Sequence, residues 1–340
     1  MILGHAHAHE DDAMGIREIA KEAGVSVATV SRVLNGTKFV SEDLKEKVLA
    51  CIQKEGYVAN HVARSMVLKK TLTCGLIIPE VSEFYHQMIF STAESILENA
   101  GYKVMVCRVK DTLASIRVYL DLLLENRVDG ILLMHETSNP KVYEQLKKSQ
   151  IPIILAGIDI PGLPFPQVRI DDYQAAYDGT HYLLSLGKRH IGLIGGWGYS
   201  VGDKRLEGYK EALSEAQLPF KPALIASGDY TIESGKLAMQ KLIESKEHLD
   251  AVFVLSDEMA IGVMRAAKEA GLSVPHDISI LGFDGITVGK YLNPTLATVS
   301  QPITEIGLQS AQALLHLMKG ESVNPLTLLS HTLREGESVQ

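Results

Sequence analysis

The residues of this 340-residue chain that could bind a small polar ligand stand where apolar, β-branched runs end. Directly after such runs come Pro79 to Tyr85, Gly195 to Lys204, Ser256-Asp257 and Phe283-Asp284. They supply rings (Phe84, Tyr85, Trp197), a hydroxyl (Ser256) and carboxylates, including Asp284, and Arg205 adds a guanidinium directly after Lys204. Aromatic faces stack on the apolar side of a sugar ring, and charged planar groups take paired hydroxyls. Core or interface packing is the competing account of the three rings. A surface salt bridge is that of Arg205 and Asp284, and Asp257 reads mainly as a helix N-cap.

Other chemistries find less support. Gly196-Trp-Gly198-Tyr-Ser-Val-Gly202 resembles a dinucleotide-binding loop, but its spacing is one residue too long and the nearest carboxylate beyond the next strand is Asp229. No Gly-x-x-x-x-Gly-Lys-Ser/Thr loop is present, and no Cys/His or Ser/His/Asp constellation can be assembled. Cys51, Cys74 and Cys107 are odd in number, far apart and without metal-site spacing, so they read as buried thiols in a reducing compartment. No catalytic residue, metal or cofactor is expected. His5, His7 and His9 alternate and could line one face of a strand, yet residues 1–13 fit no element of the domain that begins near residue 14 and read as a leader outside the fold.

A second kind of chemistry lies near the N-terminus. Ile16 to Ala23 is a short amphipathic helix, Ala23-Gly24-Val25 a tight turn, and Ser26 an N-cap for a second helix running to Asn35. Val30, Val33 and Leu34 fall on one side of that helix. The leading edge of Val27, Ala28 and Thr29 is small and uncharged, which permits close approach to a major-groove floor. Two such helices make a helix-turn-helix. Ser41 to Glu55 is a third helix, capped by Ser41 and stopped by Gly56, with Leu44, Val48, Leu49 and Ile52 as its buried stripe.

The stretch Val25-Ser-Val-Ala-Thr-Val-Ser-Arg-Val-Leu-Asn35 resembles the signature of the lactose-repressor/galactose-repressor family of bacterial regulators. The resemblance runs from residue 14 to about 335. It implies a palindromic double-stranded DNA operator read by a homodimer. Val27 and Ala28 would meet bases, Arg32 a guanine edge, and Ser26, Thr29, Ser31 and Asn35 phosphates. Residues 57–71 match the family's hinge, with Asn60 and Arg64 at the DNA and Met66 as a minor-groove wedge; Ala59 and Met66 stand where the family usually has Pro and Leu. In the core, the family's effector-contacting Arg matches Arg205 in Arg205-Leu-Glu-Gly208, its Asp matches Asp284, and its Gln before the final crossing helix matches Gln301. Ser256 stands where sugar-binding members often have Asn. The implied effector is a small carbohydrate or related metabolite. Gly228 to Gly235 and Asp257 to Val263 also resemble the catabolite-control branch, whose corepressor is a phosphorylated carrier protein.

These residues need a scaffold, and the remaining pattern supplies one. Strands are expected at 74–78, 103–107, 130–134, 152–155, 190–194, 224–225, 251–255 and 278–281, with helices near 86–99, 112–126, 140–149, 172–186, 204–216, 231–245 and 257–270. Such alternation means parallel sheets covered on both faces, and this many elements suit two lobes better than one core. The expected architecture is a small all-α helix-turn-helix headpiece (14–56), a hinge (57–71) and an α/β two-lobed, periplasmic-binding-protein-like core. Lobe 1 would comprise 72–170 with about 299–320, and lobe 2 would comprise 171–298 with about 321–340.

Charge divides the same way. Residues 14–70 carry ten Lys or Arg against six Asp or Glu, a balance of +4, while residues 71–340 carry 23 against 32, or -9. A basic head on an acidic body suits a nucleic-acid reader. No apolar run of eighteen residues exists, so a membrane span is not expected, and the chain is placed in the cytoplasm.

Overall fold

The computed structural model describes residues 15–35, 39–56, 70–80, 84–110, 113–137 and 140–340. The leader and the expected hinge residues Asn60, Arg64 and Met66 lie outside the described residues. Two compact units divide the chain at Thr71.

In the first unit, α1 (Ile16–Glu22), α2 (Val27–Asn35) and α3 (Glu42–Lys54) surround a core of Ile19, Ala20, Val30 and Val48. Gly24 makes the turn between α1 and α2 possible, since its φ of 65° is one that L side chains rarely adopt. The Val25 amide then donates to the Ala20 carbonyl at 2.9 Å. The expected stripe of α3 is narrower than the sequence suggested. Val48 is buried and Cys51 and Ile52 lean inward, whereas Leu44 and Leu49 are 38% and 47% exposed. Three helices this short enclose a core with room for one row of side chains from α3. Ser41 occupies the N-cap position but its hydroxyl makes no capping bond. Lys54 instead ties α3 to α1 through Glu22.

The second unit holds two six-stranded sheets. One contains β1 (Thr73–Pro79), β2 (Lys103–Val109), β3 (Gly130–Leu133), β4 (Ile153–Ala156), β5 (Gln167–Ile170) and β11 (Leu326–Leu329), in the order β11-β5-β4-β3-β1-β2. The other contains β6 (Ile191–Gly195), β7 (Ile225–Ser227), β8 (Ala251–Val254), β9 (Ser279–Asp284), β10 (Ala297–Ser300) and β12 (Thr332–Arg334), in the order β12-β10-β9-β8-β6-β7. Among the described pairings all are parallel except β10 with β12. The helices are α4 (Phe84–Asn99), α5 (Leu113–Glu125), α6 (Pro140–Lys148), α7 (Asp172–Ser185), α8 (Ser200–Glu215), α9 (Ile232–Glu244), α10 (Asp257–Glu269) and α11 (Ile303–Met318). The central strands β3, β4, β6, β8 and β9 are buried along their whole length, which is why they read as unbroken apolar runs.

The chain crosses between the lobes as often as expected, but its last crossing falls later in the sequence. Between β10 in the second sheet and α11, which packs on α4 in the first lobe, it crosses once. Residues 321–340 were assigned to lobe 2, but after α11 the chain stays in lobe 1, where β11 extends the edge of the sheet beside β5, and only β12 joins lobe 2. These strands are three or four residues long, and on β11 inward and outward residues alternate, so they lack the continuous apolar run that marks the central strands.

Candidate functional site

The strands of both sheets point their C-terminal ends into a cleft of about 450 Å³ between the lobes, the place where ligands bind in open parallel sheets. Lobe 1 contributes from the ends of β1 to β4, and lobe 2 from the ends of β6, β7 and β9. Of the seven effector candidates, Tyr85, Trp197, Arg205 and Asp284 line this cleft. Gln301 is buried behind it and bridges two of them. Its Nε2 donates to Asp284 Oδ1 at 2.8 Å, and its Oε1 accepts from the Tyr85 hydroxyl at 3.3 Å. Phe84 and Ser256 are not cleft residues. Phe84 lies on the outer face of α4, 42% exposed, in a groove of about 680 Å³ with Met88, Phe90 and Val106. Ser256 is the N-cap of α10, its hydroxyl accepting from the Glu258 and Met259 amides at 3.2 and 3.5 Å.

Arg205 is more deeply engaged than the sequence implied. It is 5% exposed; its Nε donates to Asp172 Oδ1 at 2.9 Å, Nη2 lies at the same distance from that oxygen, and Nη1 donates to the Leu255 carbonyl at 2.9 Å. The guanidinium carbon also sits 3.7 Å from the centre of the Phe283 ring. Burial works against its charge, and Asp172, Asp284 and Tyr230 together more than restore it, leaving the pKa above its ordinary value. Arg205 therefore anchors the cleft wall as well as facing the cleft.

Asp284 owes its place to a strained backbone. Its φ of 105° is left-handed, a region that non-glycine residues avoid. Asp257 holds the next turn: one carboxylate oxygen accepts from the Gly285 and Ile286 amides, each at 2.8 Å, and the other from the Thr298 hydroxyl at 2.6 Å. Asp257 was expected to be a helix N-cap; Ser256 takes that role and frees the Asp257 carboxylate for the turn. Complete burial pushes the Asp257 carboxyl up to about 7, against the pull of the Thr298 hydroxyl.

Several lining residues were missed, chiefly Glu136 and His135 after β3, Lys110 after β2, and Asp229 and Tyr230 after β7. Each comes after an apolar run already read as a strand, so the same rule applied to every strand end would have found them. Glu136 matters most. Both of its oxygens accept from the Ser200 amide at the N-terminus of α8, at 3.0 and 2.9 Å. Burial pushes its carboxyl up to about 7 in spite of that amide, with the nearby charge of Asp159 adding to the rise.

The same geometry disposes of the dinucleotide-like loop. Where a diphosphate would take the amides of Gly196–Gly202, Glu136 holds Ser200 and Asp203 accepts from the Gly198 amide at 3.2 Å. Gly202 is required by packing, since a Cβ there would lie 1.8 Å from the Gly196 carbonyl oxygen. Asp229 accepts from the amide and hydroxyl of Thr231, at 3.1 and 2.6 Å, which fixes the turn before α9.

In the headpiece, α2 presents the expected edge. Ser26, Val27, Ala28 and Arg32 are exposed, while Thr29 and Ser31 are half-buried. The Ser26 hydroxyl caps the helix by accepting from the Thr29 amide at 3.1 Å. An apolar, small-residue N-terminal turn with an exposed Arg one turn later is a surface that fits the major groove.

Known proteins share both halves. The model of bacterial regulatory proteins of the lacI family matches residues 15–60, and that of a periplasmic binding protein-like domain matches residues 180–339. Catabolite control protein A of Priestia megaterium is 36% identical over 328 residues, spanning 96% of this chain and 99% of that protein. The transcriptional repressor CytR of Escherichia coli K12 is 32% identical, spanning 92% of each. A lac repressor dimer bound to operator and the anti-inducer ONPF superposes with a TM-score of 0.86 at 27% identity, covering 96% of this chain and 98% of that one. With a helix-turn-helix unit, two parallel-sheet lobes and relatives matched along nearly their full length, this chain belongs to the lacI family of bacterial transcriptional regulators.

Proposed function

We propose that this regulator binds a palindromic operator as a homodimer and that a small carbohydrate or related metabolite in the interlobe cleft controls that binding. The observation that carries the reading is the Asp284–Gln301–Tyr85 chain, which links an acceptor on lobe 2 to a hydroxyl on lobe 1 through a buried amide. A ligand that bonds Asp284 and stacks on Trp197 changes the balance of contacts between lobes. Effector binding is then a population shift in lobe closure, which reaches the DNA through lobe 1 contacts in the dimer. The apolar groove of Phe84, Met88, Phe90 and Val106 on the outer face of lobe 1 supports that pairing. Among the described residues no helix is long and apolar enough to cross a membrane.

Base contacts fall to Val27, Ala28 and Arg32, with Ser26, Thr29, Ser31 and Asn35 at phosphates; the hinge residues Asn60, Arg64 and Met66 would add contacts at the operator centre. A phosphorylated carrier protein as corepressor is a second reading, favoured by the identity to catabolite control protein A. One experiment separates them. Trp197 is the single tryptophan of the chain and lines the cleft, so its emission reports on ligands there. A sugar panel that moves Trp197 emission, and with it operator affinity, supports the cleft reading. Operator binding that responds to a phosphorylated carrier protein and to no sugar would replace it with the second.

A further inference from the structure

The places around the cleft that could hold an anion already hold carboxylates of this chain. A helix N-terminus attracts anions through its unpaired amides and its dipole. At α8, the helix whose start enters the cleft, that position is filled by Glu136 on the Ser200 amide, with Asp203 on the Gly198 amide just before it. Lys204, in the next turn, is paired with Asp159, which Arg169 also holds at 3.3 Å. Arg205 is committed to Asp172 and the Leu255 carbonyl, and Lys110 to Glu80 at 3.4 Å. On the lining itself the carboxylates of Glu80, Glu136, Asp229 and Asp284 outnumber the cations of Lys110 and Arg205.

We propose that Glu136 is a specificity-determining residue that keeps phosphorylated and carboxylated ligands out of the cleft, so that the effector belongs to the class of uncharged, hydroxyl-rich sugars. This rests on the cleft being the effector site. A phosphate monoester carries a charge of about -1.5 to -2 and needs donors. At the start of α8 it would compete with a carboxylate for the Ser200 amide. A sugar hydroxyl reverses the situation, because it donates to the acceptors that Asp284, Asp229 and Glu136 present. Burial, Asp159 and Asp203 all raise the Glu136 carboxyl, against the Ser200 amide and the charge of Lys204, which lower it.

The test uses the full chain and inorganic phosphate as the probe. Thermal unfolding midpoints are measured in sodium phosphate and in sodium chloride of equal ionic strength. The parent should gain nothing from phosphate over chloride. Glu136→Ala vacates the helix N-terminus and should gain several degrees, and Glu136→Gln, which keeps an acceptor but loses the charge, should gain less. Glu136→Ala gives up the bond to the Ser200 amide whereas Glu136→Gln can still accept it, so circular dichroism checks the fold of both and Glu136→Gln keeps the comparison readable if Glu136→Ala does not fold. Phosphate stabilising the parent as much as Glu136→Ala would overturn the proposal, as would the absence of any phosphate effect in Glu136→Ala. A cleft that answers to no sugar would sink the effector reading instead, while the phosphate comparison still decides the role of Glu136.

Discussion

Arg205 shows how far a residue's type can be read and where its neighbours take over. Its match to an effector-contacting Arg was visible in Arg205-Leu-Glu-Gly208, but the buried Asp172 that binds it lies 33 positions away and gave no local signal. Removing one partner of a buried ion pair leaves an uncompensated charge, which costs about 3–5 kcal/mol. Arg205→Ala should therefore lower the unfolding midpoint markedly, and Asp172→Asn in the same chain should recover part of the loss. An unchanged midpoint for Arg205→Ala would mean the pair contributes nothing. Asp284 is the cleaner probe of the effector, because it lines the cleft and Asn in its place can still accept from Gln301 Nε2. On the DNA side, Arg32→Ala should weaken operator binding by about 1–3 kcal/mol and relax preference at one position per half-site. Equal weakening on every operator variant would show that Arg32 meets phosphate only.

The elements were legible in proportion to the length of their apolar runs. Central strands such as Ile191–Gly195 are apolar throughout and were read within a residue or two, whereas β5, β10, β11 and β12 interrupt their short runs with Thr, Ser, Gln or Arg and went unread. Helix α8 begins four residues earlier than its apolar periodicity indicated, because its first turn is organised by Glu136 and Asp203 rather than by core contacts. The turn after β9 gives a pH prediction. The Asp257 carboxyl sits at about 7 in the folded chain against an ordinary 3.8, so the native state binds a proton that the unfolded state has lost. Stability from this group therefore rises as pH falls from about 7 towards 4 and stays at its lower level above 7. Glu136, also near 7, acts with the same sign. Asp257→Asn, which can accept from the Gly285 and Ile286 amides without a charge, should flatten that slope in pH-dependent denaturation. An undiminished slope would assign it to other groups.

At the scale of the molecule, the division into a basic reader and an acidic two-lobed core came from charge and alternation alone, since both are sums over many residues. The cleft's inventory came only in part: Tyr85, Trp197, Arg205 and Asp284 were read from the sequence, but which strand ends meet in one cleft is set by the topology. The central claim is that a ligand bonded to Asp284 governs binding at α2. The direct measurement is operator affinity of the full chain titrated with whichever sugar moves Trp197 emission, in the parent and in Asp284→Asn. Removing a charged hydrogen-bond acceptor loses about 1.5–3 kcal/mol, so Asp284→Asn should bind operator as the parent does and need roughly ten- to a hundredfold more sugar for the same response. Superimposable titrations of the two proteins would contradict the account.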